Sequence, residues 1–168
     1  MAWIGYLLIL MAGVGGGLYG AHRLTRRRQY VGDAVRLLSA LEQQMTCTAL
    51  PMAQLWRRLA ASDAYGRCRL LTDTAAALDR LPFDAAFGAA VERAWTEDLL
   101  TPAGRQLLTE FGAGCGRYDM ERQSTHIRLY TAALTALDEE LAAEAVAKGR
   151  LYRVLGAAGG AALVLLLL

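Results

Sequence analysis

The stretch LTRRRQYVGDAVRLLSALEQQM, residues Leu24 to Met45, decides the fold class of this chain. Apolar residues recur along it every seven positions, with two more between them: Leu24, Val31, Leu38, Met45, Ala34 and Leu41. Polar residues occupy the opposite side of the same helix, at Arg36, Gln43 and Gln44. This spacing is typical of an α-helix that buries one face and exposes the other. The stretch therefore predicts an amphipathic helix packed on a helical core.

The chain before this helix is apolar. Ala2 to Ala21 contains no charged residue, and a helix needs about 20 residues to cross a ~30 Å hydrocarbon layer. Basic residues follow the run instead of preceding it, which is the reverse of a cleaved secretory signal: Arg23, Arg26, Arg27 and Arg28. We therefore expect residues 1–21 to be an uncleaved transmembrane helix. Its downstream side faces the cytoplasm, because Lys and Arg beside a span remain there. The same arginines can bind anionic lipid headgroups.

The C-terminal tail mirrors this arrangement. Residues 151–168 form an apolar run of roughly 27 Å if helical, preceded or flanked by basic residues at Lys148, Arg150 and Arg153. A core helix of a small domain rarely lacks a polar face, and a removable lipid-anchor signal needs a polar spacer. We therefore expect a second transmembrane helix at 151–168, a cytoplasmic domain at 22–150, and both termini outside.

Both predicted spans carry glycines at four-residue spacing. Gly13 and Gly17 form one such pair, and Gly156 and Gly160 form another. Small residues at this spacing let a second helix approach closely within lipid. We expect these glycines to pack against a helix, which is either the other span or a partner protein.

Prolines and glycines divide the middle of the chain into further helices. The expected helices run from Pro51 to about Ala61, Arg67 to Arg80, Asp84 to Asp98, Thr101-Pro102 to the glycine run at 112–116, and from a cap at Asp119 into the tail. The last helix has an apolar stripe at Ile127, Tyr130, Leu134, Leu137 and Leu141, with Arg128, Asp138, Glu139 and Glu140 facing water. We predict an all-α antiparallel bundle of about six helices, whose first and last members continue into the spans.

The sequence contains no pattern typical of a catalytic or metal site. Cys47, Cys68 and Cys115 are widely spaced and odd in number, which indicates small core residues instead of a disulfide frame. The glycine runs lack the Gly-Lys-Ser/Thr ending of a nucleotide loop. The acidic groups at Glu92, Glu97 and Asp98 are read as solvated faces. The net charge of +2 gives no general case for nucleic acid as a partner. Because no motif of these kinds is present, we also expect no catalytic residue, cofactor, metal or small-molecule substrate.

Several motifs in a fixed order resemble one family, the stage III sporulation protein AB of endospore-forming bacteria. The motifs are Leu41-Glu42, Met45, Thr48-Ala49-Leu50-Pro51, Trp95, Leu108-Thr-Glu-Phe-Gly112, Gly116-Arg-Tyr-Asp119, Gln123, His126-Ile127, and Tyr152-Arg-Val-Leu-Gly156 with Gly160 before the terminal Leu run. The chain departs from the family pattern at Gln44, Cys47, Phe87 and Cys115. The resemblance marks Glu42, Pro51, Trp95, Gly116, Asp119 and Gln123 as family-like positions.

The resemblance implies a role that the residues alone do not give. The family is anchored in the mother-cell membrane around the forespore and belongs to a secretion-like channel complex. Its soluble region is similar to the cytoplasmic domain of the type II secretion and type IV pilus platform protein. We therefore expect a non-enzymatic scaffold that docks a cytoplasmic ATPase, the family's AA protein, beside other membrane proteins of the same operon. The alternative is a single-domain platform protein of a type II secretion or type IV pilus system.

The charge argument gives a direct test of topology. Changing Arg26, Arg27 and Arg28 to Glu removes the residues that hold this flank in the cytoplasm, so the first helix should invert or fail to insert. Reporter fusions at both termini measure this. Normal insertion of the triple variant, or a wild-type terminus that reports from the cytoplasm, would contradict the predicted topology.

Overall fold

A computed structural model describes the backbone of residues 2–47, 50–115 and 120–167, and the side chains of residues 20, 22–45, 50–115 and 121–149. These ranges contain six α-helices, one short 3-10 turn at Asp63–Tyr65, and no strand. The helices are α1 Ala2–Cys47, α2 Met52–Ala60, α3 Arg69–Ala77, α4 Phe83–Thr96, α5 Pro102–Gly114 and α6 Met120–Leu167. The predicted all-α class and the number of helices are confirmed.

Prolines and one hydroxyl explain where the short helices begin. Pro51 and Pro82 occupy the N-cap positions of α2 and α4, and Pro102 lies in the first turn of α5. A proline suits these positions because the first amides of a helix have no partner within it. The Thr101 hydroxyl accepts a hydrogen bond from the Gly104 amide at 3.1 Å and caps α5. The predicted break at Thr48-Ala49 and the predicted cap at Asp119 lie outside the described residues.

Two predicted helix ends differ from the structure. Helix α3 ends at Ala77 instead of Arg80, and the Arg80 amide bonds to the Ala77 carbonyl three residues back, as in a turn. Helix α4 ends at Thr96 instead of Asp98. Helix α5 ends at Gly114, inside the glycine run at 112–116 that was predicted to stop it.

The two long helices form an antiparallel pair. Arg28 of α1 lies beside Asp138 of α6, and Glu42, about four turns further along α1, lies beside Arg128. At ~1.5 Å per residue, each helix is roughly 70 Å long. Their facing stripes are buried as predicted: Val31, Ala34, Leu38, Leu41 and Met45 on α1, and Ile127, Leu134, Leu137 and Leu141 on α6. Leu24 and Tyr130 are only partly buried.

An aromatic chain joins the short helices to α6. The Trp56 ring meets Phe83 and Phe87 edge to face at 5.2 and 5.6 Å, and Phe87 meets Phe111 at 5.6 Å. Phe111 in turn stacks on the His126 imidazole at 5.5 Å. Edge-to-face and offset contacts at these distances are favourable beyond the apolar area that they bury. The aromatic chain therefore connects α2, α4, α5 and α6 through one core.

Gly112 has a packing role inside this aromatic core. A Cβ atom placed on Gly112 would lie 2.5 Å from Cδ1 of Phe87, a ring that is fully buried. Gly114 makes a similar approach to the His126 imidazole. The two glycines therefore let α5 lie close against neighbouring rings.

Apart from Gly20, the residues of the two predicted spans have no described side chains. Among the residues that are described, no helix is long and apolar enough to cross a membrane. Residues 1–19 and 150–168, which include Gly13, Gly17, Gly156 and Gly160, lie outside the described side chains.

The close approach at Gly112 predicts a sharp difference between two glycine substitutions. Gly112→Ala should lower the free energy of unfolding by about 1–3 kcal/mol, because the new methyl group must displace the buried Phe87 ring. Gly88→Ala in α4, where nothing lies within 4 Å of the added Cβ, should instead raise it by roughly 0.5–1 kcal/mol. Denaturant unfolding of the detergent-purified full chain measures both. A neutral Gly112→Ala would contradict this packing.

Candidate functional site

Two arginines that follow the N-terminal apolar run contact a single carboxylate. Arg23 and Arg27 lie one turn apart on α1, and both side chains reach Asp98, which follows α4. Nη2 of Arg23 donates to Oδ1 of Asp98 at 2.6 Å, while its Nε donates to Oδ2. Arg27 donates from Nη2 to Oδ1 and from Nε to the Asp98 backbone carbonyl at 3.2 Å. We call Arg23, Arg27 and Asp98 the arginine clamp.

Asp98 has an unusual backbone conformation. Its φ of 60° places it in the left-handed region, where residues other than glycine are uncommon and Asp and Asn are the main exceptions. The Asp98 amide bonds to the Trp95 carbonyl, and the Leu99 amide bonds to the Ala94 carbonyl at 2.9 Å. These two bonds form the Schellman motif that closes many helices, usually with glycine where Asp98 stands. Asp98 thus ends α4 and presents its carboxylate to α1.

The arginine clamp changes the acidity of Asp98. Hydrogen bonds from Arg23, and then from Arg27, lower the pKa of this carboxyl from 3.8 to about 2. The Asp98 and Arg23 side chains are 41% and 50% exposed, so solvent screens the pair and its contribution is at most about 1 kcal/mol. The clamp therefore fixes geometry more than it adds stability.

The remaining arginines of the cluster are divided between α6 and solvent. Nε of Arg28 lies 3.7 Å from Oδ1 of Asp138. Arg26 is exposed and has no carboxylate within 4 Å among the residues that the structure places. Lys148 pairs with Glu144 on its own helix, while Arg150 and Arg153 lie outside the described side chains. Of the predicted headgroup-binding arginines, the structure thus ties Arg23, Arg27 and Arg28 to the helical domain.

A second ion pair lies next to the arginine clamp. Arg69 of α3 forms a bidentate pair with Glu97, at 2.5 and 3.0 Å, and this pairing lowers the pKa of the Glu97 carboxyl. Glu92 likewise forms a bidentate pair with Arg105 of α5, both bonds being 2.9 Å. Glu92, Glu97 and Asp98 are partly exposed, as expected, but each binds an arginine from another helix. Reading them as solvated faces therefore missed their role.

The family-like positions are spread through the bundle. Glu42 binds Arg128 across the α1–α6 pair at 3.1 Å, and Pro51 is exposed at the start of α2. The partly buried Trp95 ring lies under the Arg105 guanidinium, 5.1 Å from its centroid. Gln123 is buried beside the Cys115 thiol. Gly116 and Asp119 lie outside the described residues.

The described cysteines are buried and free. Burial raises the pKa of the Cys68 thiol to about 11 and that of Cys115 to about 12, so neither thiol ionises at neutral pH. The reading of these two as core residues is confirmed, while the side chain of Cys47 is outside the described set. In the described part of the chain, no three His, Cys, Asp or Glu residues gather in a group that could hold a metal ion.

The sequence contained one weak signal for Asp98. The segment Thr96-Glu-Asp-Leu-Leu-Thr-Pro102 joins two helices without a glycine, so Asp98 is the residue in it most tolerant of the left-handed backbone that often closes a helix. Asp98 is the acid at that position. Its arginine partners are 71 and 75 residues away in sequence, and no local pattern predicts such a pairing.

The fold and the clamp define a helical protein in which two long antiparallel helices carry a domain of four short ones. The chain belongs to the stage III sporulation protein AB family, whose model matches residues 2–168. A solved structure titled "Stage III sporulation protein AB (SpoIIIAB)" is similar in fold, with a TM-score of 0.59 and 18% sequence identity. The similarity covers 72% of this chain and 97% of that one. A comparison with curated proteins gives no match.

The lowered pKa of Asp98 predicts a pH-dependent effect of its removal. Because the pKa is about 2 in the folded chain and 3.8 without the arginines, the clamp stabilises the fold above about pH 4. This stabilisation is lost as the pH falls through 2. Asp98→Asn keeps a residue that tolerates left-handed backbone but removes the charge. It should lower the melting temperature at pH 7 and have little effect near pH 2.

The exposed Asp63, for which no ion pair is found in the described ranges, supplies the control. Asp63→Asn should not change the melting temperature of the full chain at either pH. Circular dichroism melts at pH 7 and pH 2 compare the three proteins. An Asp98→Asn effect that is equal at the two pH values would show that the clamp is not the cause.

Proposed function

We propose that the chain is a non-enzymatic membrane scaffold of a sporulation complex, which docks a cytoplasmic ATPase to a secretion-like channel. Family membership supports the sporulation role. The observation that carries the scaffold role is the arginine clamp, because it joins the helix that follows the apolar N-terminal run to the end of α4. A scaffold needs such a fixed connection between its anchor and the domain that binds partners.

The charge distribution supports an orientation at a membrane. Arg23, Arg26, Arg27 and Arg28 lie within two turns of the apolar residues 2–21, and the C-terminal basic residues precede or flank the second apolar run. Basic residues beside a span remain in the cytoplasm. The proposal therefore places residues 22–150 in the mother-cell cytoplasm, both termini outside, and the anchors in the membrane around the forespore.

The clamp also distinguishes arginines within the cluster. Arg23 and Arg27 are bound by Asp98, whereas Arg26 is exposed, has no carboxylate within 4 Å in the described ranges, and helps to lower the pKa of the Glu97 carboxyl only from a longer distance. Arg26 is therefore the residue of this turn most available to a lipid phosphate. Each basic residue near an anionic surface contributes around 1 kcal/mol to binding. The other arginines would contribute mainly by holding the domain at a fixed angle.

Partner binding gives the main test of the scaffold role. The tagged full chain, extracted in detergent from sporulating cells, should co-purify with the AA-type ATPase and with membrane proteins of the same operon. A tagged membrane protein from outside that operon serves as the control for non-specific capture. Recovery of the channel proteins without the ATPase would contradict the docking role.

A deletion tests the sporulation role separately. Removing the gene should reduce heat-resistant spores by orders of magnitude, and expression of the wild-type chain should restore them. Normal spore counts in the deletion strain would refute the proposal, whatever the chain binds in detergent.

A further inference from the structure

The end of the helical domain that contains the arginine clamp lies next to the apolar N-terminal run. Helix α1 continues without a break from Ala2 to Cys47, so distances along it follow from residue number. Arg23 and Arg27 come two and six residues after Ala21, which places them roughly 3 and 9 Å beyond the apolar run. Because both arginines bind Asp98, the end of α4 lies at the same level.

This level is that of the lipid headgroups if residues 2–21 span a bilayer. A bilayer is about 40–45 Å thick and its hydrocarbon core about 30 Å, so each headgroup layer measures roughly 5–8 Å. The arginine clamp would lie within this layer or at its surface. The inference below therefore rests on the membrane anchoring that is part of the proposed function.

Helices α3 and α4 bring two further arginines to this end of the domain. Arg69 begins α3 and binds Glu97, the residue before Asp98, through hydrogen bonds of 2.5 and 3.0 Å. One turn further along α3 and one turn back along α4, Nη1 of Arg93 lies 3.3 Å from Oδ1 of Asp73. The two antiparallel helices thus carry a ladder of ion pairs that begins at the level of the clamp.

Arg26 of α1 completes a group of three arginines. It has no carboxylate within 4 Å in the described ranges, but its charge and that of Arg93 both help to lower the pKa of the Glu97 carboxyl. We call Arg26, Arg69 and Arg93 the arginine edge. Together with the clamp, five arginines surround three carboxylates, which leaves an excess of two positive charges.

The arginine edge remains accessible although two of its members are paired. The side chains of Arg69 and Arg93 are 43% and 61% exposed, and Arg26 is exposed as well. A guanidinium has five N–H donors, so an arginine that binds one carboxylate keeps donors for a second anion. Its planar fork also matches the oxygens of a phosphate group. The edge therefore presents unused donors and excess positive charge at the level of the headgroups.

The α6 side of the same level has the opposite charge. Asp138 marks this level by its contact with Arg28. Beyond it, Glu140 is exposed and has no basic nitrogen within 4 Å in the ranges that the structure places, while Glu144 pairs with Lys148 of its own helix. An anionic surface would therefore attract the α3–α4 side of the domain in preference to the α6 side.

We propose that the arginine edge is a membrane-contact surface that binds anionic lipid headgroups, so that the start of α3 and the end of α4 rest on the bilayer. This contact adds to the proposed function, because Arg69 and Arg93 belong to helices outside the predicted spans. It also gives the ion pair of Glu97 a role, since an unpaired carboxylate at this level would repel lipid phosphates. A domain held by its anchors and by this edge would keep one orientation on the membrane.

Lipid retention by the full chain tests the proposal. The chain is reconstituted into nanodiscs of equal parts phosphatidylglycerol, which is anionic, and phosphatidylcholine, which is neutral overall. Native mass spectrometry after release into a non-ionic detergent gives the ratio of the two lipids that remain bound. The wild-type chain should retain phosphatidylglycerol at least about fivefold over phosphatidylcholine, because one basic residue near an anionic surface already favours binding by roughly that factor.

A double substitution in the arginine edge locates the site. Arg26→Gln combined with Arg69→Gln removes two of its three arginines and should lower the retention ratio by at least about fivefold. Arg23, Arg27 and Arg28 remain in place to fix the topology of the first helix. Circular dichroism melts verify that the variant folds.

The matched control removes the same charge elsewhere. Arg36→Gln combined with Arg57→Gln should leave the retention ratio unchanged. Arg36 lies about 22 Å beyond Ala21 along α1, outside the headgroup layer. Arg57 lies at the other end of α3, where its Nη2 donates to the Leu78 carbonyl at 3.0 Å.

Hydrogen exchange of the wild-type chain checks the contact without any substitution. Backbone amides of residues 97–101 should exchange more slowly in nanodiscs that contain phosphatidylglycerol than in pure phosphatidylcholine nanodiscs. The turn at residues 78–82, at the other end of α3, should exchange at the same rate in both.

The outcomes separate the proposal from its competitors. Equal retention of the two lipids by the wild type, an equal loss in both double variants, or unchanged exchange at 97–101 would overturn it. Inorganic phosphate is the probe for a free anion, and loss of the lipid preference in its presence at the lipid concentration would show a phosphate site instead of a membrane contact. A chain that does not enter nanodiscs would contradict the anchoring as well, whereas a chain that enters without lipid preference would contradict this contact alone.

Discussion

The buried contact between α1 and α6 is the constraint on which the rest of the structure depends. Each helix contributes one apolar stripe, and the antiparallel pairing buries Val31 and Leu38 of one together with Ile127 and Leu134 of the other. This arrangement leaves α2 to α5 to fill one side of the pair. The aromatic chain from Trp56 to His126 then unites the short helices with α6.

The arginine clamp adds electrostatic definition to this apolar framework. Helix α4 ends at a residue in left-handed backbone, and a glycine there would close the helix without reaching α1. Asp98 accepts the less favourable backbone and in exchange presents a carboxylate to Arg23 and Arg27. The same turn therefore terminates one helix and fixes another. Because these arginines are bound within the domain, the basic cluster has both a structural part and a part available to other molecules.

Local sequence patterns predicted most of the fold but little of the site. Stripes of period 3.6 and the prolines at 51, 82 and 102 defined the helices to within a few residues, because both signals act within one helix. The clamp and the ion pair between Glu97 and Arg69 depend on tertiary packing, so no spacing in the sequence reveals them. Gly112 shows the same limit, since its close contact with Phe87 exists only after α4 and α5 have packed.

The antiparallel pairing of the two long helices also has a mechanical consequence. The contacts proceed from Arg28–Asp138 to Glu42–Arg128, so both helices leave the pair at the same end. Tension applied through the two chain ends would therefore load the Arg28–Asp138 contact before Glu42–Arg128 as the helices peel apart. The clamp lies close to that first contact, where it would resist the onset of peeling. A domain held in this way yields to pulling gradually, whereas compression along the pair would be carried by two continuous helices.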